Sequence, residues 1–328
     1  MIRASALRVL AGALLLGLSA CQPTVQQYNA AVQAPALIED QFLAVDMAAL
    51  PVKRWLPKGA PKAILVALHG FNDYANAFDA PGTYFAQHGI ATYAYDQRGF
   101  GGAPQRGIWA GQENLTRDAA DMVRALSKQQ PGVPIYLLGE SMGGAVVISL
   151  LAEKPALPLS GAILSAAALW PRSSMNWLYQ GTLWMGAHTI PWYKVTGRGL
   201  KIMASDNIPM LIALGKDPQV LKETRIDAIY GLVALMDNAH ARIDAIEVPL
   251  LALYGANDQI IPPKPVQESF LRIKAPHRVA YYPEGYHMLM RDLQAQVVQQ
   301  DIVSWVLNRT KPLPSGFDAD WELRFKKP

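Results

Sequence analysis

The chain of 328 residues contains a single cysteine, Cys21, so no disulfide can form within it and the fold must stand on its apolar core. Charge is sparse as well, with Asp, Glu, Lys and Arg making up 17% of residues against 51% apolar, which excludes a globally disordered chain. The 30 basic and 26 acidic residues nearly cancel, so no polyanion-binding excess is present and no nucleic-acid partner is expected. Metal-ligand spacings and cofactor-binding motifs are lacking too, and no cofactor is expected. The apolar run Val9 to Leu18 is too short to span a bilayer comfortably. What remains is a length suited to one large α/β domain with an insertion.

The first residues carry Arg3 and Arg8 ahead of that apolar run, the pattern of a targeting signal. Leu18-Ser19-Ala20-Cys21 then resembles the lipobox of bacterial lipoproteins, which implies cleavage before Cys21 and a lipid anchor on its thiol. An ordinary secretory signal or an uncleaved anchor would share the basic start and the apolar run. Two or three acyl chains at Cys21 would hold the protein on a membrane, since each buried methylene contributes about 0.8 kcal/mol. Gln22 follows the cysteine where some bacteria use aspartate for inner-membrane retention, which favours the periplasmic face of the outer membrane. Without Arg3 and Arg8, 28 basic residues stand against 26 acidic ones, a net charge of +2.

The organisation expected is a signal peptide over 1–20, a tether over 21–38, a folded body over 39–310 and a tail over 311–328 with no assigned role. Short apolar runs at Ala63 to Leu68, Ala91 to Tyr95, Ile135 to Leu138, Gly161 to Ser165, Leu250 to Tyr254 and Arg278 to Tyr282 read as strands. Amphipathic stretches separate them; Asn114 to Lys128 places Leu115, Ala119, Met122, Val123 and Leu126 at helical spacing. The pattern predicts an α/β fold with a mostly parallel central sheet and helices on both faces. From about 170 to 238 the alternation gives way to an irregular helical region, expected as a lid over the carboxyl edge of the sheet.

Gly139-Glu140-Ser141-Met142-Gly143 sits between a strand and a helix. A serine can be presented at such a turn only in a strained backbone, and glycines two residues to either side remove the clashing side chains. Ser141 is therefore the candidate nucleophile. A serine hydroxyl needs a base, and the base needs a partner to fix its tautomer. Of six histidines, only His287 directly follows a strand at the carboxyl end of the sheet beyond the lid. Asp258 occupies the turn after Leu250 to Tyr254, whereas the turn after the preceding strand, Ser165 to Leu169, holds no carboxylate. The oxyanion of a tetrahedral intermediate needs backbone donors. The amides of Met142, just after the nucleophile, and Phe71, after the Leu68-His69-Gly70 turn, are the candidates. His69, Asp96 and Arg98 read as loop scaffolding.

With these residues in place, the chain resembles the monoacylglycerol lipase and lysophospholipase branch of the α/β-hydrolases, the serine aminopeptidase S33-type group. The resemblance runs from about Ala63 to Leu307 through His69 to Phe71, Asp96 to Gly101, Gly139 to Gly144, Gly255 to Asp258 and Glu284 to His287. It implies an α/β-hydrolase fold and hydrolysis of an acyl ester or lipid, with Ser141, Asp258 and His287 acting in the order usual for that fold. Phe71-Asn72-Asp73-Tyr74 departs from the Xaa-Gly-Glu-His that usually follows His-Gly in the lipase, so glycerol recognition does not carry over by position. A peptidase, thioesterase or acyltransferase would use the same three residues, and a non-catalytic lipoprotein binding an apolar ligand is the reading from another class.

Trp170, Trp177, Trp184 and Trp192 are four of the eight tryptophans and all fall in the lid. Trp177 and Trp184, seven apart, share one helical face. That face either packs on the body or serves the substrate, by lining an acyl-chain channel or touching a lipid surface.

Overall fold

A computed structural model of the protein describes residues 22–199 and 201–325. Cys21 and the signal segment lie outside the described residues. Nine strands form one sheet: β1 (Ala36–Ile38), β2 (Gln41–Leu43), β3 (Ala49–Trp55), β4 (Ala63–Leu68), β5 (Ile90–Tyr95), β6 (Ile135–Glu140), β7 (Leu159–Ser165), β10 (Leu250–Gly255) and β11 (His277–Tyr282). A separate two-stranded ribbon, β8 (Lys194–Val195) with β9 (Thr224–Arg225), belongs to the lid. The order in the large sheet is β1-β2-β3-β5-β4-β6-β7-β10-β11. From β5 to β11 every neighbour is parallel, and β1 to β3 join as an antiparallel edge.

Burial explains why these runs became strands. Every residue of β4, β5, β6 and β10 is buried, as both-faced coverage by helices requires. One apolar cluster fills one face under the helices Gln112–Gln129 and Met142–Ala152; a second fills the other under Asp79–Gln87 and Ala295–Asn308. The helix Gln112–Gln129 buries Leu115, Ala119, Met122, Val123 and Leu126 as its spacing predicts. It also buries Asp118, because Arg98 reaches that carboxylate at 2.7 Å and spans to Asp46 at 2.7 Å. Arg98 thus ties the β5 loop to two other segments, and Asp96 accepts the amides of Ala75 and Gly102. Both act as scaffolding.

Three segments differ from expectation. Strands β1 to β3 add an edge that short, polar-interrupted sequences conceal. The stretch expected as a tether is docked: Val25 bridges Trp109, Gln26 is buried with its amide on the Trp109 carbonyl at 2.9 Å, and the Thr24 amide donates to Asp227 at 3.1 Å. The tail also packs. Leu313 is buried, Phe317 meets Tyr282 edge-on at 5.6 Å and Phe325 stacks on Tyr254 at 5.2 Å. Leu313, Phe317, Trp321 and Phe325 are spaced by four, an apolar register hidden among prolines and charges.

The lid contains the helices Trp177–Thr189, Ile208–Lys216 and Ile226–Arg242. Its last helix runs to Arg242 because it packs on Met142–Ala152, with Asn238 donating to Ser149 at 3.3 Å.

Candidate active site

Four loops leave the carboxyl ends of β4, β6, β10 and β11 and meet at one edge of the sheet. At the end of β6, Ser141 adopts φ 53° and ψ −115°, a conformation costly for any residue with a side chain. The surroundings enforce it. The Ser141 carbonyl accepts the amides of Gly144 at 2.9 Å and Ala168 at 2.9 Å, and its own amide donates to Ser165 at 3.0 Å. A Cβ at Gly143 would collide with the Leu68 carbonyl, and one at Gly139 with the Gly143 backbone. The helix Met142–Ala152 starts at this turn and directs its positive end toward the site.

Asp258 and His287 meet: His287 Nδ1 lies 2.8 Å from Asp258 Oδ2, and both side chains are almost wholly buried. The other carboxylate oxygen accepts the amides of Ile260 at 2.8 Å and Ile261 at 3.0 Å, which fixes the acid's orientation. Burial disfavours the imidazolium, but Asp258, by charge and by hydrogen bond, and Glu140 farther off outweigh it. The His287 pKa is held above its ordinary value, with Arg291 pulling the opposite way. His69 plays no such part: its Nδ1 is 2.8 Å from the Gly70 carbonyl, its Nε2 accepts the Gln97 amide at 3.0 Å, and burial lowers its pKa.

Ser141 and His287 line one cavity of about 600 Å³. Gly70 approaches the serine so closely that a Cβ there would lie 3.3 Å from Ser141 Cβ, placing the Phe71 loop beside the candidate nucleophile. The amides of Phe71 and Met142 find no acceptor among the described residues, so both are free to donate. Most of the remaining wall is apolar, built from Met175, Leu183, Leu232, Val233, Met236 and Ile260. Trp177 and Trp184 do share a face, but it is the outer one: they are 78% and 57% exposed and do not line the cavity. The same helix turns Tyr179, Thr182 and Leu183 inward, with Ala187 buried behind them. Periodicity groups residues into faces without saying which face looks inward.

One polar group at the cavity escaped the sequence reading. Arg291 Nη1 bonds Asp73 at 2.8 Å and Nη2 bonds Glu140 at 2.6 Å, all three side chains being under 10% exposed. Burial alone would lower the Arg291 pKa, but the two carboxylates raise it above its ordinary value. Asp73 follows the Phe71 loop, Glu140 precedes Ser141, and Arg291 lies four residues after His287, so one guanidinium joins three loops of the site. Proximity of Glu140 and Arg291 to the key residues in sequence was the available signal. Among the described residues no group of three or more His, Cys, Asp or Glu is placed to hold a metal ion.

A mostly parallel sheet presenting a strained serine between strand and helix, with an aspartate-bound histidine lining the same cavity, defines an α/β-hydrolase. Comparison with known proteins agrees. Residues 59–294 match the Hydrolase_4 family, described as serine aminopeptidase, S33, and the chain belongs to that family. It is 26% identical over 270 residues to mouse (Mus musculus) monoglyceride lipase, covering 80% of this chain and 88% of the relative. It is 23% identical over 283 residues to a monoacylglycerol lipase of Mycolicibacterium smegmatis, covering 82% and 97%. A soluble variant of monoglyceride lipase from Saccharomyces cerevisiae, solved with a substrate analog, shares the fold at TM-score 0.70 and 19% identity, covering 88% of this chain and 98% of that one.

Proposed function

We propose that the chain is a serine hydrolase that cleaves carboxylic esters of acyl lipids, with monoacylglycerols and lysophospholipids as favoured substrates. The observation that carries this reading is the buried Asp258–His287 pair opening, together with Ser141, onto a largely apolar cavity of about 600 Å³. Its named relatives are lipases of the same substrate class.

In this mechanism His287 Nδ1 donates to Asp258, leaving Nε2 free as the base. It takes the Ser141 proton as Oγ attacks the ester carbonyl, and the oxyanion is held by the Phe71 and Met142 amides, each worth about 3 kcal/mol in comparable sites. His287 then gives the proton to the departing alcohol. Water, deprotonated by the same imidazole, cleaves the acyl-enzyme and frees the fatty acid. The acyl chain occupies the apolar wall under the lid, and the alcohol faces the end where Asp73, Glu140 and Arg291 stand.

Fluorophosphonate labelling tests the nucleophile: wild-type protein reacts and Ser141→Ala does not, while unchanged labelling of that variant overturns the assignment. Competing short- and long-chain p-nitrophenyl esters against an aminoacyl anilide tests the substrate class, and preference for the anilide makes the protein a peptidase. We further infer that Cys21 carries a lipid anchor holding the protein on the periplasmic face of the outer membrane. Incorporation of labelled palmitate, lost in Cys21→Ser, is the expected result.

A further inference from the structure

We propose that Asp292 is a positioning residue for His287, and that through Ser205 it makes the placement of the lid a condition of an aligned base. The inference rests on the serine-hydrolase reading above. Asp292 is 4% exposed, lies five residues after His287, and does not line the substrate cavity. Both of its oxygens are engaged. Oδ2 accepts the Tyr286 amide at 2.7 Å, directly beside the base, and Oδ1 accepts the Ser205 hydroxyl of the lid at 2.6 Å. A buried carboxylate is costly unless its oxygens are hydrogen-bonded, and bonds to a charged acceptor at these lengths are strong ones. Two of them to separate segments fix the carboxylate, and with it the amide it holds.

That amide belongs to the peptide unit joining the acid's loop to the base's loop. Its other end, the Gly285 carbonyl, accepts the amide of Asn257, the residue before Asp258, at 2.8 Å. A peptide unit is planar, so a partner at each end sets the orientation of the whole plane. The two loops are in contact here: a Cβ on Gly255, at the end of β10, would come 2.5 Å from the Gly285 backbone. With Asn257 on the carbonyl and Asp292 on the amide, the chain entering His287 is registered against Asp258, and so is the 2.8 Å contact between Nδ1 and Oδ2.

On the other side of the base the lid provides the hold. The Met288 amide donates to the Ala204 carbonyl at 3.0 Å, Asn207 Nδ2 to the Arg291 carbonyl at 2.9 Å, and the Leu293 amide to Asp206 at 2.8 Å. Ser205, in the middle of this strap, is wholly buried and its hydroxyl also accepts the Asn207 amide at 3.2 Å. A lid displaced at residues 204–207 would therefore release the amides on both sides of His287, Met288 directly and Tyr286 through Asp292. Misplacing a reacting group by about 1 Å costs about 100-fold, and because neither Asp292 nor Ser205 lines the cavity the loss falls on turnover and spares binding.

Asp292→Ala, Asp292→Asn and Ser205→Ala in the full chain test the assignment through p-nitrophenyl butyrate turnover and the rate of fluorophosphonate labelling. The assays run at about pH 8, where the Asp292 carboxyl, pushed up to about 6 chiefly by burial, is ionised. Rates are expressed per fluorophosphonate-titrated site, so that loss of folded protein alone leaves kcat unmoved. Asp292→Ala should lower kcat and the labelling rate about 30-fold with KM within about twofold. Asp292→Asn keeps an oxygen for the Tyr286 amide and an NH₂ that can donate to Ser205, and should stay within about threefold of wild type. Ser205→Ala, which leaves the carboxylate free to turn, should fall between the two and keeps the test in force where Asp292→Ala fails to fold. Wild-type kcat in Asp292→Ala, or a raised KM with kcat intact, overturns the positioning role. An Asn variant as slow as the Ala variant overturns its geometric basis, and wild-type kcat in Ser205→Ala overturns the link to the lid. Absence of both labelling and turnover in the wild type overturns the serine-hydrolase reading instead.

Discussion

Replacing Arg291 with Met should cost stability and catalysis together, in proportions that the buried network fixes. The guanidinium holds Asp73 at 2.8 Å and Glu140 at 2.6 Å, with side-chain exposures of 8%, 7% and 2% for Arg291, Asp73 and Glu140. Met fills similar space without charge, leaving two carboxylates buried with no cation between them. Removing one partner of such a pair costs about 3–5 kcal/mol, far more than the pair's net contribution against an apolar replacement. Urea unfolding followed by circular dichroism at neutral pH should show that gap from wild type.

Catalysis supplies the second readout. Arg291 lowers the pKa of His287, so the variant should move the acid limb of kcat/KM to higher pH, and kcat should fall more than KM rises as three loops lose their common tie. Arg291→Lys restores a charge but not the two-armed geometry and should recover part of both effects. A Met variant that unfolds within about 1 kcal/mol of wild type, with its acid limb unmoved, refutes the reasoning: the network would then be neither a clasp nor a tuner of the base.

Three other substitutions follow from the same geometry. Gly143→Ala sets a methyl against the Leu68 carbonyl and should yield insoluble or unfolded protein; a soluble variant with wild-type melting contradicts the crowding at the turn. Because His287 must be neutral to act and its pKa is raised, the wild-type kcat/KM should climb with pH through a limb above 6.5, and Asp258→Asn should lower kcat about 10⁴-fold, both read with a p-nitrophenyl ester. Leu183→Trp should shorten the acyl preference, cutting kcat/KM for a long-chain ester about tenfold while a butyrate ester stays within about twofold.

How legible the molecule was in its sequence varied with the physics of each part. Strands β4, β6 and β10 show as apolar runs because both faces are covered, and key side chains fall just beyond their ends. Strands β1 to β3 sit at an edge where polar residues are tolerated, so Gln41, Lys53 and Arg54 interrupt the pattern. The seven-residue spacing of Trp177 and Trp184 identified a shared face, but only packing against Ile226, beside Gly186, sets which face turns outward. Asp73 and Arg291 are 218 positions apart, and no local pattern could announce that they meet.

The sheet and the lid divide the work in a way that explains this unevenness. Presenting a serine in a conformation with positive φ costs about 1–3 kcal/mol and is possible only where the surrounding structure over-determines it. That demands glycines at fixed offsets, a buried strand behind and a helix in front, so the requirement is local and marks the sequence strongly. An acyl chain asks only for apolar wall of sufficient volume, which many combinations of Leu, Met, Val and Ile supply equally well. Selection for substrate therefore leaves a diffuse trace spread over Met175, Leu183, Leu232 and Met236, on two lid helices and the loop before them. It follows that chemistry in this chain can be altered by single substitutions at the sheet edge, whereas changing the preferred ester calls for remodelling the underside of the lid.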